Sequence, residues 1–465
     1  MNMFYIQLLK LFSWHDRLSD DQEAATKNCC LQGSCVQKIL LTHKRGNRAI
    51  LRQNDDDPPR GLKGSIVTEP QTPKAESIAT TIAAHAARLS EALNVHMRNS
   101  FQPDSRKVLR KFHPAEVSEL TGISMSNLRT RHQEGDFPEV QTDLRGRRLY
   151  SATEIDQIRH VMARTGRNGA TYLPGRRNGD ALQVISIVNF KGGSSKTTTA
   201  IHLAQRYALR GYRVLAVDMD PQASLTTMFG YRPEIEFSES GTIYDSLRYQ
   251  DPVPLSQVVR KTYFHNLDLA PAGLLLSEYE TETAYALQHK LDPPFTQRLA
   301  IVLDEIEANY DIVIIDCPPQ LGFTTMTALL ASTGLLITVV PSMLDVASMA
   351  QFLEMAGETV QTLEEATGPI DWSFLKFLIA RYEPTDVPQS QMAGFLRSIL
   401  LDQVLTMPML KSTAISDAGM TQQTIYELDP SQVVKKTRDR ILESVNGVAD
   451  EFEKTIQAAW GRKAE

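Results

Sequence analysis

The chain has 465 residues, enough for two or three domains with one large core, and a formal net charge of −6. An acidic total excludes a chain coated in basic surface, so any nucleic-acid surface has to be local. Of four cysteines, Cys29, Cys30 and Cys35 cluster without a nearby histidine, which excludes a standard zinc set and a disulfide framework; no run is long enough to span a membrane.

Residues 1–75 show no hydrophobic period and carry breaker-rich polar stretches, Asp55-Asp-Asp-Pro-Pro-Arg60 and Glu69-Pro-Gln-Thr-Pro-Lys74. They read as a disordered extension, or as the product of a start codon set too far upstream. Met1 to Phe12 is apolar but lacks a basic start and a small-residue cleavage site, so it does not read as a signal peptide. The expected location is cytoplasmic. Ile78, Ile82, Ala86, Leu89 and Leu93 recur at helical spacing and predict an amphipathic arm within residues 76–104.

Residues 105–170 read as a winged helix-turn-helix. From Pro114 to Arg129, Val117 and Leu120 form the apolar face of a first helix. Gly122 sits in the turn, where positive φ is needed, and Ile123 and Leu128 bury the second helix. Arg145-Gly-Arg-Arg-Leu-Tyr150 follows as a short basic hairpin, and Ser151-Ala-Thr-Glu154 opens another helix with a capping-box pattern. Residues 101–167 hold 12 Lys/Arg against 9 Asp/Glu, a local reversal of the overall sign. Arg129 and Arg131 at the end of the second helix, with Arg145, Arg147 and Arg148 in the wing, are the DNA-binding candidates, because docking elements need cations for phosphate and groove contacts. Residues 171–180, containing Leu173-Pro-Gly-Arg-Arg-Asn-Gly179, read as a linker.

From 181 to 465 an α/β domain is predicted. Strands are expected at 183–189, 213–218, 267–270, 311–316, 334–340 and 374–380, and helices at 196–210, 295–308, 345–362 and 388–402. Apolar strands alternating with helices predict a mostly parallel sheet covered on both faces, with ligands at the carboxyl ends of the strands. Asn189-Phe-Lys-Gly-Gly-Ser-Ser-Lys-Thr-Thr-Thr199 lies between the first strand and helix, as a phosphate cradle requires. Lys191, Gly192, Gly193, Ser194, Ser195, Lys196, Thr197 and Thr198 are its binding candidates. Lys196 can reach terminal phosphates, and the Thr197 hydroxyl can ligate Mg²⁺. Asp218 and Asp220 follow the second strand, as site acids or as a helix cap or turn. Asp316 ends the strand from Tyr310, where a carboxylate could hold the Mg²⁺ shell. Ser431 to Trp460 reads as one long helix; Lys435, Lys436, Arg438 and Arg440 at its start are either DNA contacts or a solvated face.

The ordinary Walker A glycines are replaced by Phe190 and Ser195. What fits is K-G-G-x-x-K-[ST] from Lys191 to Thr197, which resembles the deviant Walker A ATPases of the ParA/MinD superfamily. Asp218-Met-Asp220-Pro-Gln222 and Asp316-Cys-Pro-Pro319 resemble that family's D-x-D-P-Q and D-x-P-P. The basic wing, and the segments Pro408–Gly419 and Gln423–Glu427, resemble RepA-type partition ATPases of repABC plasmids; the wing is also similar to that of MerR-type proteins. The resemblance implies an ATP- and Mg²⁺-dependent ATPase that partitions plasmids. Lys191 would cross a homodimer interface to the partner's nucleotide, and Lys196 and Asp220 would act in hydrolysis, Asp220 on the attacking water. Pro341 and the segment Ala380–Pro384 would lie near the adenine, or simply end their strands. The implied partners are DNA, bound at the operator by the N-terminal domain and non-specifically by the ATPase dimer on the nucleoid, and a ParB-like protein. An ATP-modulated transcriptional regulator without DNA transport uses the same residues. Iron–sulfur reductases on this fold need two cysteines per subunit, and after Cys35 only Cys317 remains. The ending Trp460–Glu465 is a poor amphipathic membrane anchor. Ser195, where many relatives have Gly, is the main departure.

Overall fold

The computed structural model describes residues 78–100, 107–166, 169–415 and 422–462. The expected N-terminal extension with Cys29, Cys30 and Cys35, and the end of the Pro408–Gly419 segment, lie outside the described residues. The chain divides into two units, residues 1–101 and 102–465. In the first, α1 (Ile78–Ser100) is the predicted arm, with Ile78, Ile82 and Leu89 exposed.

The second unit begins with α2 (Pro114–Thr121) and α3 (Met125–Glu134). Gly122 ends α2 at φ +73, and Ser124 caps α3 by accepting from the Asn127 amide. A two-residue ladder joins β1 (Gln141–Thr142) to β2 (Arg148–Leu149), and α4 (Ala152–Thr165) starts on the Ser151–Glu154 capping box. Phe112, Val117, Leu120, Ile123, Leu128, Tyr150, Ile155 and Ile158 are buried together. Val117, Leu120, Ile123 and Leu128 are the positions that the helical spacing singled out; Ile155 and Ile158 of α4 and two aromatic residues join them.

Seven strands form the main sheet. They are β3 (Gln183–Val188), β4 (Val214–Asp218), β5 (Arg260–Lys261), β6 (Leu267–Ala270), β7 (Ile312–Asp316), β8 (Gly334–Val339) and β9 (Phe374–Ile379). Their order is β5-β6-β4-β7-β3-β8-β9, and all neighbours are parallel except β5 with β6. β3, β4, β7 and β8 are buried at every residue, as a sheet covered on both faces requires. Around it lie α5 (Lys196–Arg210), α6 (Ser224–Met228), α7 (Glu278–His289), α8 (Phe295–Asp304), α9 (Phe323–Ala331), α10 (Met343–Thr367), α11 (Val387–Leu400) and α12 (Lys435–Ala459).

The expected strands match to within a residue. Helix 295–308 is shorter than expected: it stops at Asp304, and a 3₁₀ turn covers Glu307–Asn309. Arg176 donates to the carbonyls of Glu307 and Tyr310 at 3.0 and 3.1 Å, where the chain leaves that turn for β7. Residues 174–180 are pinned as well. The Arg176 amide donates to Asp311, and Arg462 donates to the carbonyls of Pro174 and Gly175.

Candidate functional site

β3 delivers the chain to the phosphate loop, and Asn189 sets its departure. Its carboxamide oxygen accepts from the Lys191 amide at 2.8 Å, while its amide group donates to the Thr338 carbonyl on β8. Gly193 takes φ +75, which a side chain resists. Ser195 takes φ +71 and ψ 22 immediately before α5, and its hydroxyl caps nothing. A residue with a Cβ held in the left-handed region costs on the order of 1–2 kcal/mol, so this strain sits where the loop meets the helix. That explains physically why Gly suits the position.

Lys196 is 7 % exposed, and its Nζ donates back across the loop to the Lys191 carbonyl at 3.3 Å. Burial lowers its pKa, while Asp316, Cys317 and Asp220 oppose that shift. Gly192 and Gly193 are exposed and Ser194 is buried, its hydroxyl accepting from that of Thr338 at 3.4 Å. Thr197 and Thr198 open α5.

β4 and β7 pair so that Asp218 lies directly beside Asp316. Asp218 is fully buried and accepts from the Thr226 amide (2.8 Å), the Thr226 hydroxyl (2.7 Å) and the Asp220 amide (3.1 Å). Burial nevertheless pushes its pKa up to about 7. Asp316 is also fully buried, and neither carboxylate oxygen has a hydrogen-bond partner. The Thr197 hydroxyl is near enough to favour its charge without meeting hydrogen-bond geometry, and burial with Asp218 alongside holds its pKa well above the carboxylate range. A buried carboxylate left unpaired is costly unless a cation completes it.

Thr197, Asp316 and Lys196 therefore fit a magnesium–nucleotide. Among the described residues no cluster of three His, Cys, Asp or Glu could hold a metal alone. Asp220 is partly exposed at the same strand end. One of its oxygens accepts from the Gln222 amide at 2.9 Å, so it makes the turn that a simple capping acid would make. Pro341 is buried past the end of β8.

Residues outside the sequence motifs complete the site. Asp345, at the start of α10, accepts from Lys191 Nζ at 2.9 Å. Arg381, beyond β9 at φ +51, donates to the Gly193 carbonyl at 3.1 Å. Thr226 carries Asp218. Asp345 had a signal in the sequence, the cap pattern Ser342-x-x-Asp345; Arg381 lies in the segment Ala380–Pro384 that the resemblance put near the nucleotide, without a role of its own, and Thr226 had no signal, because its partner is set by strand order.

The five basic candidates of the N-terminal part divide. Arg131 pairs with Asp136 at 2.7 Å and Arg147 with Asp143 at 2.8 Å. Arg129 and Arg145 are exposed and Arg148 half-buried, with no ion pair among the described residues. Arg438 of the C-terminal basic cluster is neither solvated nor free for DNA, because it turns inward to Glu116 at 2.8 Å.

A family model described as an AAA domain matches residues 182–367. The chain is 48 % identical over 383 residues to a putative replication protein A of Rhizobium rhizogenes, covering 81 % of this chain and 94 % of the relative. It is 30 % identical to the chromosome partitioning protein ParA of Caulobacter vibrioides, covering 51 % and 84 %. A solved structure named Partition Protein superposes with a TM-score of 0.51 at 19 % identity, covering 79 % of this chain and 98 % of that one, which speaks to fold alone. A strand–loop–helix cradle with paired buried acids beside it, and a replication protein A sharing nearly half of its aligned residues, place the chain in one group: it belongs to the ParA family of ATPases.

Proposed function

We propose that this chain is a Mg²⁺-dependent ATPase of plasmid partition. ATP brings two subunits face to face with Lys191 crossing between them. The dimer binds DNA non-specifically, the basic wing binds the operator, and a ParB-like partner stimulates hydrolysis. The observation that carries the reading is Asp316: a buried carboxylate without a partner, beside Thr197 and Lys196 at the head of the phosphate loop. Magnesium, when bound, would neutralise charge on the phosphates. Lys196 would bind the terminal phosphates, Thr197 and Asp316 would hold the ion, and Asp220 would orient water. Replacement of Lys196 by Ala should abolish binding of a labelled ATP analogue, whereas Lys191→Ala should retain most binding and lose ATP-dependent dimerisation in light scattering. Undiminished binding by the first variant removes the nucleotide site; dimerisation by the second removes the crossing lysine. ATP-tuned operator binding with no response to any ParB-like partner would favour the regulator reading.

A further inference from the structure

Lys191 is not free in the single chain. Its Nζ lies 2.9 Å from Asp345 Oδ2. The two ends of this pair differ. The Lys191 side chain is 41 % exposed and has four carbons of reach, whereas the Asp345 side chain is 12 % exposed and fixed in place. Asp345 sits in the first turn of α10, and the Ser342 hydroxyl donates to the same Oδ2 while accepting from the Asp345 amide at 3.3 Å. At the other end, Asn189 holds the Lys191 backbone amide and fixes where the side chain starts. The carboxylate is thus a positioned acceptor for a lysine that is anchored at its backbone and half-exposed along its side chain.

We infer that Asp345 is a positioning residue that holds Lys191 within its own subunit and must be given up before Lys191 can reach a partner subunit's nucleotide. This rests on the proposed crossing role of Lys191. The consequence follows from linkage. An interaction made only by the single chain opposes association by its full free energy, once in each subunit. A half-exposed ion pair is a modest restraint, so release shifts the equilibrium without creating new contacts. Loss of the carboxylate charge therefore tightens ATP-dependent dimerisation, whereas a helix-capping role alone would only loosen α10.

The test is a double-mutant cycle on the full chain with MgATP, reading the protein concentration of half-dimerisation by analytical ultracentrifugation. Asp345→Asn should lower that concentration by on the order of fivefold, and Asp345→Glu, which keeps the charge, should return it toward the parent value. In a Lys191→Ala background, where ATP-dependent dimerisation is lost, Asp345→Asn should not restore it. A folded Asp345→Asn chain that dimerises no more tightly than the parent overturns the inference. So does dimerisation that Asp345→Asn restores without Lys191. If instead Lys191→Ala dimerises as the parent does, the crossing role falls first and the positioning role with it.

Discussion

Two acids side by side at the ends of β4 and β7 raise the question of which charge state the free chain holds. Asp218 is satisfied by three hydrogen bonds and Asp316 by none, yet burial raises both. For Asp218 the shift runs from an ordinary 3.8 to about 7. The native chain therefore keeps a proton that the unfolded chain has already shed, and this group's contribution to stability declines as pH rises from about 4 to about 7. A cation at Asp316 needs the ionised form, so binding it should expel protons. At pH 7 we expect magnesium–nucleotide binding to release protons, measured as a buffer-dependent heat in two buffers of different ionisation enthalpy. Heats that do not depend on the buffer would mean the pair is already ionised. Asp220 differs, because it is partly exposed and one oxygen is used in a turn. Asp220→Ala should preserve nucleotide binding and lower turnover by about 10²-fold or more; wild-type turnover with DNA and partner present would confine Asp220 to the turn. At this scale the sequence displayed the acids and lysines through their spacing. It could not display Thr226, whose role comes from strand order and helix placement, and it displayed Asp345 only as a helix cap and Arg381 only within the segment Ala380–Pro384.

The elements were legible where burial imposes a pattern. Six strands stand out because a parallel strand covered on both faces is mostly β-branched and aliphatic, with few polar residues such as Ser186 and Asp268. α9 did not stand out: Phe323–Ala331 is buried almost all round and has no polar face to mark a period. β5 is a two-residue edge strand, too short for any pattern. The hairpin of β1 and β2 was legible through Gly146 and its arginines. The structure adds that Asp143 organises its tip, accepting from the amides of Arg145 and Arg147 at 2.9 and 2.8 Å and pairing with the Arg147 guanidinium. The Arg147 side chain is 57 % exposed, so that pair is weak and a phosphate can replace it. Arg145 and Arg148 have no such competitor. Arg145→Ala with Arg148→Ala should weaken operator binding and lower its salt slope by about 2, with ATP turnover retained. Operator titration at several salt concentrations checks this, and an unchanged slope would take the wing out of the DNA interface.

Across the whole second unit, the phosphate-loop helix is also the floor on which the N-terminal part stands. α5 begins at Lys196 and ends at Arg210, and there the buried Arg159 of α4 donates to the carbonyls of Leu209, at the end of α5, and Leu120, at the end of α2. Burial pulls the Arg159 pKa down to about 9, which still leaves it charged at neutral pH. Arg206 of α5 pairs with Glu119 of α2 and with Asp450 of α12, and Glu116 of α2 receives both Arg110 and Arg438. Lys107 reaches Glu427 at 3.1 Å. The apolar cores of the two parts are continuous, running from Ile155 and Ile158 through Tyr207 and Leu209 to Phe452. Sequence reading suggested a linker between separate modules, because Gly, Pro and Arg at 173–179 look like free chain; their partners at Asp311 and Arg462 lie more than a hundred residues away. Such a junction predicts one cooperative unfolding transition for residues 102–465, with the helix that starts at the nucleotide site carrying strain directly to α2. Arg159→Met should strip two buried helix-end carbonyls of their donor, at a cost of about 2–4 kcal/mol. It should split the calorimetric transition so that the N-terminal part melts first, and MgATP should then stabilise only the later transition. In the parent chain the nucleotide should raise the single transition as a whole. A variant that still melts in one step at the parent temperature would show that the apolar contact alone joins the two parts and that Arg159 contributes nothing to the coupling.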